Sequence, residues 1–173
     1  MPTPTYVAIA KNVLSSNQSS VVFSSIPSTY TDLILVGSLR GSNASTIAGT
    51  QIAFNGTTTG SYTYLLGQGS PGAVQSGRAS ALAYIFLGYA TAGNNTANTF
   101  ASWELYIPNY AGSTNKAMSS ILAHEDNNTT AYLNTYAGLQ SQTNAISEIT
   151  ISMQSGNNIV SGSRFDLYGI KNS

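Results

Sequence analysis

The sequence contains no cysteine among its 173 residues. Disulfide bonds, thiolate metal sites and thiol redox chemistry are therefore excluded. Charged residues are also scarce, since they make up 7% of the chain against roughly 25% in an average soluble protein. Six Lys and Arg residues balance six Asp and Glu residues, and the cations are scattered along the chain. Because no basic stripe could neutralise phosphates, we expect no nucleic-acid partner.

Targeting and membrane segments are absent as well. The start, MPTPTYVAIAKN, lacks the basic and apolar regions of a secretory signal. The apolar stretch ALAYIFLGYA is shorter than the roughly 18 residues that a membrane span needs. We therefore predict a soluble protein that is made in the cytoplasm without an export signal and has no membrane partner.

Small polar residues take the place of charge. Serine, threonine and asparagine supply 60 of the 173 residues, and the formal net charge is zero. The hydrophobic content of 42% is high enough to predict a folded chain. Net charge usually keeps a monomer from associating with itself, and this chain lacks that protection. We therefore expect much of its surface to be buried in an assembly.

The dominant pattern is a period of two in short stretches separated by turn-forming residues, which is typical of β-strands. It predicts an all-β fold, an antiparallel β-sandwich of about eight to eleven strands, in one domain over residues 1–173. Pro2 and Pro4 oppose a helix at the start, so residues 1–12 could form an extended arm. The candidate strands are 6–14, 20–26, 32–40, 51–55, 61–67, 81–89, 100–108, 117–125, 131–140, 147–154 and 164–170.

Three details of this prediction concern single segments. The pair Asn55-Gly56 is a strong hairpin turn, between the strands 51–55 and 61–67. The strand 32–40 is apolar enough to be central and covered on both sides. The polar stretches between strands are predicted to be loops, at 41–50, 67–80 and 90–99.

The stretch WELYIPNY, residues 103–110, allows two interpretations. Its aromatic residues could form an exposed platform that stacks on sugar rings. The alternation instead places Trp103 on the same face as Leu105 and Ile107, which is typical of a core strand. Pro108 would end that strand because it cannot donate to a β-ladder. We prefer the core strand, with Tyr106, Asn109 and Tyr110 as the remaining candidates for contact with a partner.

The polar motifs do not predict an enzyme. His124 is the only histidine, and on a strand it would point the same way as Asp126, with Glu125 opposite. A metal or acid–base site there would lack a second His or Cys. The acids occur singly, as Asp32, Glu104, Glu125, Asp126, Glu148 and Asp166, without the paired motif of a glycosidase. No nucleophile elbow or phosphate loop is present, so we predict no catalytic residue, metal or cofactor.

Five blocks of the chain, in order, resemble a group of small β-rich virion structural proteins of tailed bacteriophages. They are VVFSSIPSTYTDLILVGSLR (21–40), FNGTTTGSYTYLLGQGS (54–70), LYIPNYAGSTNKAMSS (105–120), AGLQSQTNAISEITI (137–151) and FDLYGI (165–170). The resemblance spans nearly the whole chain and implies a jelly-roll-like sandwich, often displayed as a trimer. It carries no catalytic motif.

The resemblance implies a structural role in the virion. The expected function is a capsid decoration (cement) protein, which binds the major capsid protein or other virion proteins on the head surface as a homo-oligomer, most simply a trimer. The alternative is a tail-fibre or receptor-binding domain that recognises glycans of the host surface.

Overall fold

A computed structural model describes residues 5–57, 62–70, 73–125 and 131–171. These residues form β-strands and one three-residue 3₁₀ turn at Gln154–Gly156. No helix among them is long and apolar enough to cross a membrane. The strands are β1 Tyr6–Val13, β2 Ser20–Phe23, β3 Asp32–Leu39, β4 Ile47–Phe54, β5 Tyr62–Ser70, β6 Ala73–Leu82, β7 Ile85–Thr91, β8 Ala101–Ile107, β9 Lys116–Glu125, β10 Ala131–Gln140, β11 Ile149–Met153 and β12 Arg164–Ile170.

The strands form two antiparallel sheets of unequal size. The large sheet has eight strands in the order β1-β12-β3-β8-β9-β10-β5-β6, and the small sheet has four in the order β2-β11-β4-β7. Buried side chains of both sheets belong to one hydrophobic core cluster. The predicted all-β fold and antiparallel β-sandwich are therefore confirmed, while the jelly-roll connectivity stays a prediction.

Alternation explains which side chains reach this core. In β8 every second residue is buried, and Trp103, Leu105 and Ile107 are all 2% exposed or less. In β11 the residues Ile149, Ile151 and Met153 are buried in the same way. In these two strands the period of two thus predicted correctly which face packs into the core.

The N-terminal strand differs from the predicted arm. Residues 6–13 form β1, which pairs with β12 from Tyr6 opposite Ile170 to Val13 opposite Arg164. The part of the predicted arm from residue 6 to residue 12 is therefore an edge strand of the large sheet. The backbone groups on one side of this strand pair with β12. Residues 1–4 of that prediction lie outside the described residues.

The segment 67–80 was predicted to be a loop, and this was wrong. It contributes to β5 and β6, which pair from Tyr62 opposite Leu82 to Ser70 opposite Ala73. Its Gly, Ser and Gln residues are typical of loops, but a ladder between backbone groups needs no apolar side chain. The burial pattern of β6 agrees, since none of its ten residues is buried.

The predicted strand 81–89 is two strands in different sheets. β6 ends at Leu82 in the large sheet, and β7 begins at Ile85 in the small sheet. Ala81 has a positive φ of 55°, an uncommon backbone conformation for a residue with a side chain, at the point where the chain leaves the large sheet. The apolar run 81–89 therefore passes from the large sheet to the small one, although its composition does not change there.

The turn at Asn55-Gly56 exists, but it does not close a hairpin. Both residues have a positive φ, 53° and 62°, as a tight turn requires. However, β4 belongs to the small sheet and β5 to the large one, so the turn carries the chain across the sandwich. The Asn55 side chain fixes it: Oδ1 accepts from the backbone N–H groups of Ser147 at 2.9 Å and Glu148 at 3.1 Å.

Two of the remaining strand boundaries also shift. β4 begins at Ile47, inside the predicted loop 41–50, and β7 continues to Thr91, just inside the predicted loop 90–99. The strand β3 is central, between β12 and β8, as predicted. Its residues Ile34 and Val36 are only half-buried, so the prediction that β3 is covered on both sides was wrong.

Candidate functional site

The tryptophan of WELYIPNY lies inside the sandwich. Its indole Nε1 donates a hydrogen bond to Ser120 Oγ at 2.7 Å, and its ring meets Phe165 edge-on with the centroids 6.3 Å apart. This hydrogen bond satisfies the one polar atom of a buried ring. Trp103 is therefore a core residue, and a sugar platform built on it is excluded.

The end of β8 is held by a single carboxylate. Asp32 Oδ2 accepts a hydrogen bond from the Tyr106 hydroxyl at 2.9 Å, and Oδ1 accepts from the Asn109 backbone N–H at 2.8 Å. The bond to the carboxylate raises the pKa of Tyr106, because the carboxylate favours the protonated hydroxyl. Asn109 has a positive φ of 48° and is exposed. Tyr106 and Asn109 thus remain candidates for contact with a partner.

Tyr110 does not remain a candidate. Its side chain is fully buried, and its hydroxyl donates to the backbone carbonyl of Pro27. Burial raises the pKa of the hydroxyl. The prediction that Tyr110 contacts a partner was based on its place after Pro108, where an exposed turn was expected. The turn instead folds this ring into the core, so no partner can reach it.

An open groove of about 330 Å³ lies beside Tyr106. It runs between the end of β8 and the start of β9, and its walls come from Tyr106, Pro108, Ala117, Met118 and Ser119. The lining is mostly apolar, and Asp32, to which the Tyr106 hydroxyl donates, is not one of these lining residues. The groove could therefore take an apolar side chain or the face of a sugar ring.

The groove borders an uncharged surface on the side of the large sheet away from the core. We call this surface the β9–β10 face; it consists of the exposed residues Ser119, Ile121, Ala123, Leu133, Thr135 and Ala137. Ile121 is 52% exposed and Leu133 is 49% exposed, whereas the other four side chains are small. Ser119 pairs with Tyr106 of β8, and Ile121 pairs with Glu104. Glu104 thus marks the charged boundary of the face.

The lone histidine is a packing residue on the opposite, inner side of β9. His124 is buried and stacks on Tyr132 with the ring centroids 5.0 Å apart and the planes 9° from parallel. Its Nδ1 lies 3.4 Å from Asn134 Nδ2. Its predicted neighbour Asp126 lies outside the described residues, and Glu125 accepts a hydrogen bond from Thr99 at 3.0 Å.

The acidic residues are dispersed over the fold. Asp32 binds Tyr106, Asp166 pairs with Arg164 at 2.5 Å on β12, and Glu104 is exposed on β8. Within the four described ranges no group of three His, Cys, Asp or Glu residues could hold a metal ion. Asp32, Glu125 and Asp166 each take part in a local hydrogen bond or ion pair.

Arg40, one of two buried cations, was missed by the sequence reasoning. Its guanidinium donates to the carbonyl oxygens of Thr96 at 2.7 Å, Asn95 at 2.9 Å, Thr99 at 3.0 Å and Gly93 at 3.2 Å. The planar guanidinium group has five N–H donors, so it can bind several carbonyl groups at once. Arg40 therefore fixes the connection from β7 to β8, where the chain returns from the small sheet to the large one.

Lys116 is the second buried cation. Its Nζ donates to the backbone carbonyls of Gly112 at 2.7 Å and Thr143 at 3.3 Å, and to that of Thr114. Burial lowers the pKa of this ammonium group. A sequence signal for it exists, because Lys116 shares the inward alternation of Met118 and Leu122. It joins the turns before β9 and after β10.

Comparisons with known proteins found no match: no family model, no curated protein and no solved structure is similar to this chain. The candidate site is therefore defined by geometry alone. It consists of the groove beside Tyr106 and the adjoining β9–β10 face, which the chain leaves open on the outer side of its large sheet.

Proposed function

We propose that this chain is a structural protein of a bacteriophage virion, most simply a decoration protein that binds the outer surface of the head as a homo-oligomer. The observation that carries the proposal is the exposed, uncharged β9–β10 face in a chain with no net charge. Exposed apolar surface is a common feature of protein–protein contact sites. The ordered resemblance of the sequence blocks to phage virion proteins supplies the biological setting.

In this role the protein would act by binding only the assembled shell. A ligand that binds one state stabilises that state by mass action, so bound copies would stabilise the expanded head against opening. Contacts made by methyl groups, hydroxyl groups and backbone atoms depend little on ionic strength, because few charges are screened. The proposed partners are therefore the major capsid protein and further copies of this chain.

The direct test adds the purified protein to heads that lack it. We expect the protein to sediment with the heads in many copies and to raise the temperature at which they release their DNA. Added salt should change this binding little. The control is albumin at the same concentration, which should leave the heads unchanged. Failure to sediment with heads, together with binding to isolated tails, would contradict a place on the capsid.

The groove supports the second candidate, a receptor-binding domain for host-surface glycans. Tyr106 offers an aromatic ring, and Ser119, also in the groove wall, offers a hydroxyl group that could bond a sugar hydroxyl. Glycan-array binding by the wild-type protein and its loss in Tyr106→Ala would favour this function. The matched control is Tyr89→Ala, because Tyr89 is also half-buried but lies on β7 of the small sheet. Equal binding by both variants would contradict a site at the groove.

A further inference from the structure

We propose that Asn55 is a site of spontaneous deamidation that the native fold suppresses, so that the reaction proceeds only when the turn after β4 opens. The pair Asn55-Gly56 is the one place in the sequence where a glycine follows an asparagine. Glycine has no side chain, so the backbone nitrogen that attacks the asparagine side chain is unhindered. This reactivity is separate from the proposed function and does not depend on any partner.

The reaction needs only the chain and water. The backbone nitrogen of Gly56 attacks Asn55 Cγ. A bond from Cγ to this nitrogen forms, the Cγ–Nδ2 bond breaks, and ammonia leaves with the proton of the attacking nitrogen. Water then opens the resulting five-membered succinimide ring at one of its two carbonyl carbons. The product is aspartate, or isoaspartate, in which the main chain runs through the former side chain. Neither step changes an oxidation state.

The attacking nitrogen lies in an open part of the surface. Gly56 is exposed, and a methyl group added to its Cα would meet no atom within 4 Å apart from its chain neighbours. Water can therefore reach the position where the ring would form and open. Crowding around Gly56 does not protect the site, so protection has to come from the contacts of Asn55 itself.

The Asn55 amide is held at both of its polar atoms. Its Oδ1 accepts from the backbone N–H groups of Ser147 at 2.9 Å and Glu148 at 3.1 Å, and from the Ser147 hydroxyl at 3.2 Å. Its Nδ2 donates to the carbonyl of Ala145 at 2.8 Å. Attack requires the amide to turn its face towards the Gly56 nitrogen, and this rotation would break these directional bonds. The folded turn therefore opposes the reaction.

Opening of the turn is coupled to the end of the small sheet. Phe54 of β4 pairs with Ile149 of β11, and both side chains are fully buried. The Asn55 backbone N–H also donates to the Glu148 carbonyl at 3.1 Å. Separating the turn from β11 has to disturb these contacts, so few molecules are open at any time. The rate of deamidation in the native protein should therefore follow the fraction of molecules in which this end of the small sheet is open.

The product cannot restore the original turn. An ionised carboxylate accepts hydrogen bonds and donates none. Aspartate at position 55 thus places a negative oxygen beside the Ala145 carbonyl, where Nδ2 was the donor. Isoaspartate in addition lengthens the main chain between β4 and β5. A molecule that reacts while it is open cannot close as before, so deamidation limits the lifetime of the native state.

The rate of deamidation in the full chain tests the proposal. The purified protein is kept in mildly alkaline buffer with and without guanidinium chloride, and peptide mass spectrometry follows each asparagine. In denaturant Asn55 should convert faster than Asn98, an exposed residue that also has a positive φ but precedes Thr99. Without denaturant Asn55 should convert at least about tenfold more slowly. Equal rates at Asn55 in both buffers, or no preference for Asn55 over Asn98 in denaturant, would overturn the proposal.

Two conservative variants test the coupling to β11. Ile149→Val removes one buried methyl group beside the turn and should speed deamidation in native buffer about two- to tenfold. The matched control is Ile121→Val, because Ile121 is 52% exposed on β9, and it should keep the wild-type rate. An Ile149→Val protein with the rate of the control would contradict opening at this end of the small sheet.

The reaction product is tested by direct substitution. Asn55→Asp should unfold at a lower guanidinium concentration than the wild type, whereas Asn98→Asp should unfold with the wild type. The Asn98 change adds the same charge at an exposed position with a positive φ of 66°. An Asn55→Asp protein as stable as Asn98→Asp would show that deamidation leaves the turn intact, and would overturn its proposed effect on the lifetime of the native state.

Discussion

Strands β8, β9 and β10 have two faces that are covered in different ways. On the inner face Trp103, Leu105 and Leu122 are enclosed by the small sheet and by neighbouring strands. On the outer face Ile121 and Leu133 are about half exposed. Both sets alternate along the same strands and have similar β-propensity. The comparison shows that the inner face is complete within one chain, whereas the outer face keeps apolar groups that the fold itself does not need.

The largest expected effect contrasts two aromatic residues of β8. Trp103→Ala should lower the free energy of unfolding by about 3–5 kcal/mol, because it leaves a cavity in the core. Tyr106→Ala should lower it by about 1 kcal/mol, because the change mainly removes one partly exposed hydrogen bond to Asp32. Urea denaturation followed by circular dichroism measures both. Equal losses would contradict the difference between the two faces.

A smaller loss of stability is expected when Arg40, the buried cation at the β7–β8 connection, is replaced. Arg40→Ala should lower the free energy of unfolding by about 2–3 kcal/mol, because several buried carbonyl groups lose a charged donor. Arg78→Ala is the matched control, since Arg78 is exposed on β6, and its effect should stay within about 0.5 kcal/mol. Thermal or urea unfolding of both variants checks this. An Arg40→Ala protein as stable as the control would show that the β7–β8 connection does not depend on the Arg40 side chain.

The smallest effect is expected in alkaline solution. Burial raises the pKa of Tyr62, whose hydroxyl bonds the backbone of Phe54. A raised pKa in the folded state contributes stability that is fully present below about pH 10 and is lost as the pH rises through the folded value. The lowered pKa of Lys116 has the opposite effect on stability. Because the unfolded chain holds that proton more tightly, this group makes the folded state more stable as the pH rises.

We therefore expect Tyr62→Phe to reduce the loss of stability between about pH 10 and pH 11. Urea denaturation at each pH measures the slope. Tyr6→Phe, which changes an exposed tyrosine, should keep the wild-type slope. A Tyr62→Phe protein with the wild-type slope would indicate that this hydroxyl does not titrate with unfolding.

The sequence predicted the faces of the strands better than their connections. The register of Trp103 followed from alternation alone, since the packing of neighbouring strands reinforces it. The strand β6 was missed because its pairing depends on backbone groups of β5, which small polar side chains do not reveal. The apolar run at 81–89 concealed a change of sheet, because burial in either sheet selects the same residue types.

The candidate site was predicted only in part. Tyr106 and Asn109 could be found because they follow the core residues of β8, but their common partner Asp32 lies 74 residues from Tyr106 in the chain. Tyr110 was misplaced because the direction of a turn depends on contacts such as that with Pro27. Arg40 was missed because its carbonyl partners are backbone atoms, whose positions residue identity does not reveal. Lys116 was missed although the alternation of β9 places it on the inner face.

The order of strands in the sheets has a consequence for how the chain folds. β1 and β3 both pair with β12, and β2 pairs with β11. These pairs can form only after a strand that comes more than a hundred residues later has been made. Closing such distant contacts slows folding, because loop entropy is lost before pairing compensates for it. While the chain is being synthesised, β2 and β3 would have unpaired backbone groups, to which non-native strands could bind. We expect completion of β12 to be the step that commits the newly made chain to its native sheets.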